Sequence, residues 1–436
     1  MSKMMHLILM TFHAPTTHTA LSWADSEDGH LDGFSDFKYW QNLAKTLERG
    51  CFDAIFFADT PAASDQFKGN ADTPITYGVG WPTHDPMPLV ATMAAATEKL
   101  GIGVTLSTNG TPPYLATRRI TTLDYLSRGR VGWNVVTGHM QAEHLAIGNA
   151  LINHEERYDR ADEYMEVCYA LWDAFSEGSV LKDRTAGILG DPNKIKRVKF
   201  SGKYYQCDAV PAILPSPQKR PVIFQAGSSG RGMQFAVQHA EAVFAIQPNI
   251  KAMSGFKEKL DIASDQAGKD LAKILFGLHF VIGSTDEEAN NRLKQLQNRI
   301  PIEAALSRIS GPLGIDASKL DLDKPLDIAN SNASRGMAEA LSKIEGEGGK
   351  PPSLRQMAKH IGVTAGLPQV VGGPEKIADQ MEELWRGSGG FGFMLSAAVS
   401  PGMIEEFVEY VVPILQKRGI FRKDYSGNTL RDHLNS

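Results

Sequence analysis

Eight short apolar runs alternating with helical patterns predict an α/β fold, a (β/α)8 TIM barrel with long insertions after strands 4 and 7. Two further observations support it. Several runs are almost continuously apolar, as strands buried on both faces of a parallel sheet are. One run, at 222–226, leads through a Gly/Ser turn into a helical pattern, the order in which such folds build anion sites.

The predicted strands span 6–12, 54–58, 102–107, 131–136, 222–226, 242–246, 274–282 and 391–395. Between them, the helix at 37–49 stops at Gly50, the helix at 88–99 stops at Gly101, and the helix at 117–126 precedes Ser127-Arg-Gly129. The strongest helical pattern covers 156–175, where Ala161, Met165, Cys168, Trp172 and Phe175 share one face. Asn153, with Glu156 three residues on, resembles a capping box at its start. A barrel needs ~250 residues, so the surplus is assigned to insertions within one domain covering 1–436. One insertion spans about 177–218. The other, at 284–390, contains helical stretches at 286–299 and 353–361 and reads as a lid, and a C-terminal tail occupies 413–436.

Composition narrows the function classes. A net charge of −5 gives no reason to expect nucleic acid or a membrane surface as partner. Cys51, Cys168 and Cys207 lie far apart, as reduced thiols rather than a disulfide or zinc framework. No apolar run approaches the ~20 residues that span a bilayer, and the N-terminus lacks an export signal, so a cytoplasmic protein is expected.

The turn Gly227-Ser-Ser-Gly-Arg-Gly232 follows strand 5. No Lys completes a Walker loop, and the glycine order is not that of a Rossmann fingerprint. Two readings stay open: an anion site built from hydroxyls and helix N–H groups, or a plain strand–helix connection. His154 and Tyr158, four apart on the next-door helix, likewise read as donors to an anion or as ordinary surface and core residues.

Barrel active sites form at the C-terminal strand ends. Those ends present His13, Asp59, Thr108, Asn134, Thr137, Gly138 and His139 besides the Gly/Ser turn. They carry no HxH pair, HExxH helix or carboxylate cluster, so no metal is expected. Neither a GxSxG elbow nor a strand-end Lys appears among them. Hydrogen-bonding groups with few formal charges suit a large polar cofactor that carries the chemistry itself.

Six segments follow one another along the chain: 50–60 (GCFDAIFFADT), 127–137 (SRGRVGWNVVT), 157–164 (RYDRADEY), Pro217-Gln218, 225–229 (QAGSS) and 418–431 (RGIFRKDYSGNTLR). Together they resemble bacterial-luciferase-like flavin monooxygenases, in the branch of the nitrilotriacetate, EDTA, dibenzothiophene-sulfone and long-chain-alkane enzymes. The resemblance implies a barrel that takes reduced FMN from a separate NAD(P)H-dependent flavin reductase. With O2 it would oxygenate a small organic substrate, such as a xenobiotic, through a flavin hydroperoxide. It places Asp59 and Thr108 beside the flavin ring, Thr137 and Gly138 nearer its tail, and His154, Tyr158, Ser228 and Ser229 on the phosphate. His13 and His139 are the candidate catalytic residues, and a homodimer or homotetramer is expected. Alternatives are a flavin- or deazaflavin-dependent dehydrogenase on the same barrel and a non-catalytic flavin-binding protein. The chain departs from the family pattern at Gly138, where many members have Ser, at 143–148 (EHLAIG), and at Gly390, in place of a common Asp.

Overall fold

In the computed structural model, which describes residues 4–227, 229–326, 341, 343–344 and 350–436, the apolar runs form parallel strands. They are β1 (His6–Phe12), β2 (Ala54–Ala58), β3 (Gly101–Ser107), β4 (Val131–Val136), β5 (Val222–Gln225), β6 (Ala242–Ala245), β7 (Lys273–Ile282) and β8 (Gly392–Ala397). Each pairs with the next, and β8 returns to β1 with His6 opposite Gly392, closing the predicted (β/α)8 barrel.

The two-residue period of a strand separates two cores. Ile8 and Met10 of β1, Phe56 of β2 and Phe224 of β5 join the inner cluster, together with Leu430 and Leu434 from the tail. Leu7, Leu9, Ile55 and Phe57 belong instead to the outer cluster shared with the surrounding helices. Burying one such Leu or Phe fully contributes ~1.5–3 kcal/mol.

The tail closes the N-terminal end of the barrel by pairing charges. Asp53, wholly buried, accepts from Arg422 Nη2 at 2.6 Å and from Leu7 N–H at 2.9 Å, with His6 Nδ1 2.8 Å away. Burial raises its carboxyl pKa, but the His6 and Arg422 charges prevail and hold it below the usual range. Arg431 binds Glu241 at 2.6 Å and donates to the Gln218 carbonyl at 2.7 Å, while Gln218 Nε2 donates to Asp124 at 2.7 Å.

Two segments differ from expectation in content. Residues 177–218 carry two small antiparallel hairpins, Val180–Asp183 with Ile188–Gly190 and Val198–Ser201 with Gln206–Ala209. The stretch read as a helical lid also holds a short strand, Gln369–Gly372, paired in parallel with the far end of β7. Beyond that strand, the helix Pro374–Ser388 buries Ile377, Ala378 and Met381 in the outer core. That helix therefore packs as the other barrel helices do, and so does Asp286–Arg299 through Leu296, while Ile302–Leu313 and Leu354–Thr364 reach the cavity at the strand ends. Among the described residues, no helix is long and apolar enough to cross a membrane.

Candidate active site

A cavity of about 420 Å³ opens at the C-terminal strand ends. Met10, Ala58, Val136, Gln225 and Phe244 form its floor, one from each of five strands or the residue ending it. The helices Ile302–Leu313 and Leu354–Thr364 contribute Arg308, Ile309, Pro312 and Ile361 to its wall. These two helices pack on each other and on Phe67, burying Leu306, Leu313 and Met357.

At one side lies the turn after β5. Ser229 caps the helix Gly230–His239, its Oγ accepting from Gly232 N–H at 3.0 Å. That Oγ lies 3.2 Å from His154 Nε2, whose ring is oriented by Nδ1 against Glu155 at 2.9 Å. Asn153 caps the helix His154–Trp172 by accepting from Glu156 N–H at 2.8 Å, so the helix starts where His154 and Tyr158 reach the turn. The buried Tyr158 phenol faces Gln225 and Ser229; burial raises its pKa and keeps the hydroxyl a donor. Gly227 and Gly232 are required by close approach: a Cβ would fall 2.7 and 2.8 Å from Tyr158 Oη. Neither has positive φ, and a Cβ at Gly230 would meet nothing. The glycines thus serve proximity here, not unusual backbone angles. Ser228 lies outside the described residues.

A hydroxyl, an imidazole, a phenol and a helix N-terminus converge on this cradle, a donor set that fits the phosphate of a flavin mononucleotide.

Thr137, Gly138 and His139 follow β4 along the wall. Gly138 has φ +64°, and a Cβ there would fall 2.7 Å from Asn109 Nδ2, 3.1 Å from His144 Nε2 and 3.2 Å from Glu143 Oε2. Glu143 and His144 occupy the space that a serine side chain would need, so two departures from the family pattern explain each other. Gly390 is similarly enclosed, since a Cβ would fall 2.7 Å from the Phe276 ring. Burial, with the Arg157 and His144 charges, lowers His139 to about 4, and its Nε2 is buried without a hydrogen-bond partner. The ring is therefore neutral at pH 7 and offers one nitrogen to an incoming group. Burial and the Asp85 charge raise Asp59 to about 7, and burial raises Glu143 to about 7.

Of the residues singled out from sequence, the fold brings Asp59, Thr137, Gly138, His139, His154, Tyr158 and Ser229 to the cavity. Thr108 stands outside its lining, the hydroxyl 3.4 Å from the Val136 carbonyl it faces. His13 also stands outside: Nδ1 bonds the Asp85 carbonyl at 2.9 Å, and the ring meets Trp40 edge-on. His18, five residues further on, lines the cavity instead. Trp133 packs outward against Tyr164 and Trp172. Asn134, inside the barrel, donates to Thr105 Oγ1 at 2.9 Å. Sequence reasoning missed His18, Arg157 and Arg308. His18 follows β1 inside a polar loop and Arg308 sits in an ordinary helical pattern, so no local signal set them apart, whereas Arg157 opens the segment 157–164 and was given no role there. Among the described residues, no group of three His, Cys, Asp or Glu side chains could hold a metal.

A closed barrel with polar side chains converging on a cavity at its C-terminal strand ends has the architecture of an enzyme active site. The family described as luciferase-like monooxygenase matches residues 4–390. Dibenzothiophene-sulfone monooxygenase of Rhodococcus erythropolis (strain XP) is 39% identical over 442 residues, covering 99% of this chain and 96% of that protein. The crystal structure of a long-chain alkane monooxygenase superposes with a TM-score of 0.90 at 34% identity, covering 100% of this chain and 96% of the other. A riboflavin lyase, solved with modified FMN and riboflavin, gives 0.91 at 30% identity and the same coverage. The chain belongs to the luciferase-like monooxygenase family, and it is a flavin-dependent monooxygenase.

Proposed function

We propose that this enzyme uses reduced FMN, delivered by a separate NAD(P)H-dependent flavin reductase, to oxygenate a small organic molecule within a single domain. The observation that carries the reading is the cradle of Ser229, His154 and Tyr158 at the start of the helix Gly230–His239. These residues hold the phosphate, with Ser228 as the adjoining hydroxyl of the turn. When bound, the reduced flavin supplies two electrons, so that one atom of O2 enters the substrate and the other leaves as water.

The protein's own groups do the remaining work. Thr137, Gly138 and Asp59 line the same cavity as the cradle, Thr137 and Gly138 being assigned to the tail of the flavin and Asp59 to its ring. Near neutral pH, Asp59 retains its proton for part of the time and can donate a hydrogen bond at Oδ. His139 serves as a neutral hydrogen-bonding group through its free Nε2. The helices Ile302–Leu313 and Leu354–Thr364 place Ile309, Pro312 and Ile361 over the site and limit water. His13 and Thr108 stand outside the cavity lining and take no part in this reading.

The test is an anaerobic titration with reduced FMN. Replacing His154 and Ser229 together by alanine removes two donors to a charged group, an expected loss of about 3 kcal/mol or roughly two orders of magnitude in affinity. Undiminished affinity would return the turn to a plain strand–helix connection. Substrate turnover without oxygen would sink the oxygenase reading and favour a dehydrogenase.

A further inference from the structure

Three arginines that stand outside the cavity lining each have a carboxylate. Arg231 pairs with Asp159 at 3.0 Å and also with Asp162, Arg299 with Asp25 at 2.6 Å, and Arg292 with Glu406 at 2.8 Å. Arg308 lines the cavity from the helix Ile302–Leu313 and is different. Among the described residues it makes no hydrogen bond and no ion pair. Glu303, one and a half turns earlier on the same helix, is taken by Lys68 at 2.7 Å. Asp59, the carboxyl group that lines the cavity, draws its charge coupling from Asp85 and not from Arg308.

The groups that do feel Arg308 are imidazoles. Burial lowers the pKa of His18 and of His279, and the Arg308 charge lowers both further. Both rings are neutral at pH 7 and supply no counter-charge. Burial lowers Arg308 itself to about 10, so the guanidinium remains charged at pH 7. An unpaired, partly desolvated cation is costly, and such groups are retained where a partner arrives from outside.

Its position separates it from the phosphate cradle. The cradle is built from β5 and from the helix after β4, whereas the imidazoles near Arg308 come from the loop after β1 and from β7. In a closed eight-stranded sheet these groups lie on opposite sides of the opening. On the helices Ile302–Leu313 and Leu354–Thr364 and the turn after them the lining also has apolar groups, Ile309, Pro312, Ile361 and Leu367.

We propose that Arg308 binds the anionic end, a carboxylate or sulfonate, of an organic substrate whose apolar body rests against Ile309, Pro312, Ile361 and Leu367. This rests on the reading of the cavity as the oxygenation site. The planar guanidinium fork matches either oxyanion in a bidentate way that a lysine cannot reproduce.

Calorimetric titration of the full chain with hexanoate, hexanesulfonate and uncharged hexanamide tests it. Both anions should bind roughly tenfold or more tightly than the amide. Arg308→Gln should erase that preference, and Arg308→Lys should keep only part of it. Equal binding of all three probes to the unaltered protein would overturn the proposal. So would an unchanged preference in Arg308→Gln or, should that variant not fold, in Arg308→Lys. A parallel titration with reduced FMN keeps the two readings apart. Loss of flavin affinity in Arg308→Gln assigns the side chain to the cofactor and overturns the anion anchor. An unaltered protein that prefers the anions but never binds reduced FMN leaves the anchor standing and removes the flavin reading.

Discussion

The two ends of the barrel treat buried charge in opposite ways. At the N-terminal end Arg422 meets Asp53 at 2.6 Å and Arg431 meets Glu241 at 2.6 Å, and the tail that brings both arginines also fills the barrel with Leu430 and Leu434. At the C-terminal end Arg157 and Arg308 line a cavity, and among the described residues neither has a carboxylate within ion-pair distance. Asp59 and Glu143 there are pushed up to about 7, while Asp53 at the other end is held below its usual range. One end uses charge to fix the chain, and the other leaves charge available to something that binds.

The largest effect is expected at the paired end. Asp53→Asn leaves Arg422 buried without its carboxylate and should cost about 3–5 kcal/mol in urea unfolding. Joint replacement with Arg422→Met should recover much of it; a double variant as weak as the single would show that packing, not pairing, holds the tail. The pH dependence has a defined sign. Because the folded pKa of Asp53 is depressed, its contribution is complete above the unfolded value near 3.8 and is lost as pH falls through the folded value. Acid destabilisation in that range should be smaller in Asp53→Asn.

Glu143 at the open end should behave in reverse. Its folded pKa is raised from 4.5 to about 7, so the native state holds a proton that the unfolded chain has released, and stability falls as pH rises through that window. Glu143→Gln should flatten that fall, with a gain of at most about 3 kcal/mol at pH 8 relative to pH 5. A pH profile of the urea midpoint that matches the unaltered protein would mean the carboxyl is ionised in the fold. The smallest effect is expected for Gly138→Ser, which combines left-handed backbone with a crowded Cβ and should cost about 1–2 kcal/mol. If that cost persists when Glu143 and His144 are both alanine, backbone strain and not crowding accounts for it.

Much of the scaffold was legible in the sequence. β1, β2 and β4 begin and end where the apolar runs do, because a strand buried on both faces leaves an uninterrupted local signature. The segments that carried the family resemblance turn out to meet one another. Asp53 lies in 50–60 and Arg422 in 418–431, and Gln218 bonds Asp124 and the β4 backbone at Val131, 2.8 Å away. These contacts seal the barrel, while Asp59, Thr137, Tyr158 and Ser229 from the same set of segments line the cavity. The strand Gln369–Gly372 escaped notice because four residues inside a helical region carry too short a pattern to register.

The sequence by itself determined the barrel class, because each strand and helix leaves a local apolar period, whereas the cradle joins Ser229 to His154 across 75 residues and formed only in the fold. Tertiary structure alone decided which side chains face the cavity and which charges go unmatched. His13 and His18 follow the same strand five residues apart, yet only the second lines the cavity. Glu303 and Arg308 share one helix, yet the first turns to Lys68 from a distant loop and the second has no carboxylate partner among the described residues. A residue's partners are set by what the fold packs beside it, so a vacancy in a charge pattern becomes visible only after the chain has closed.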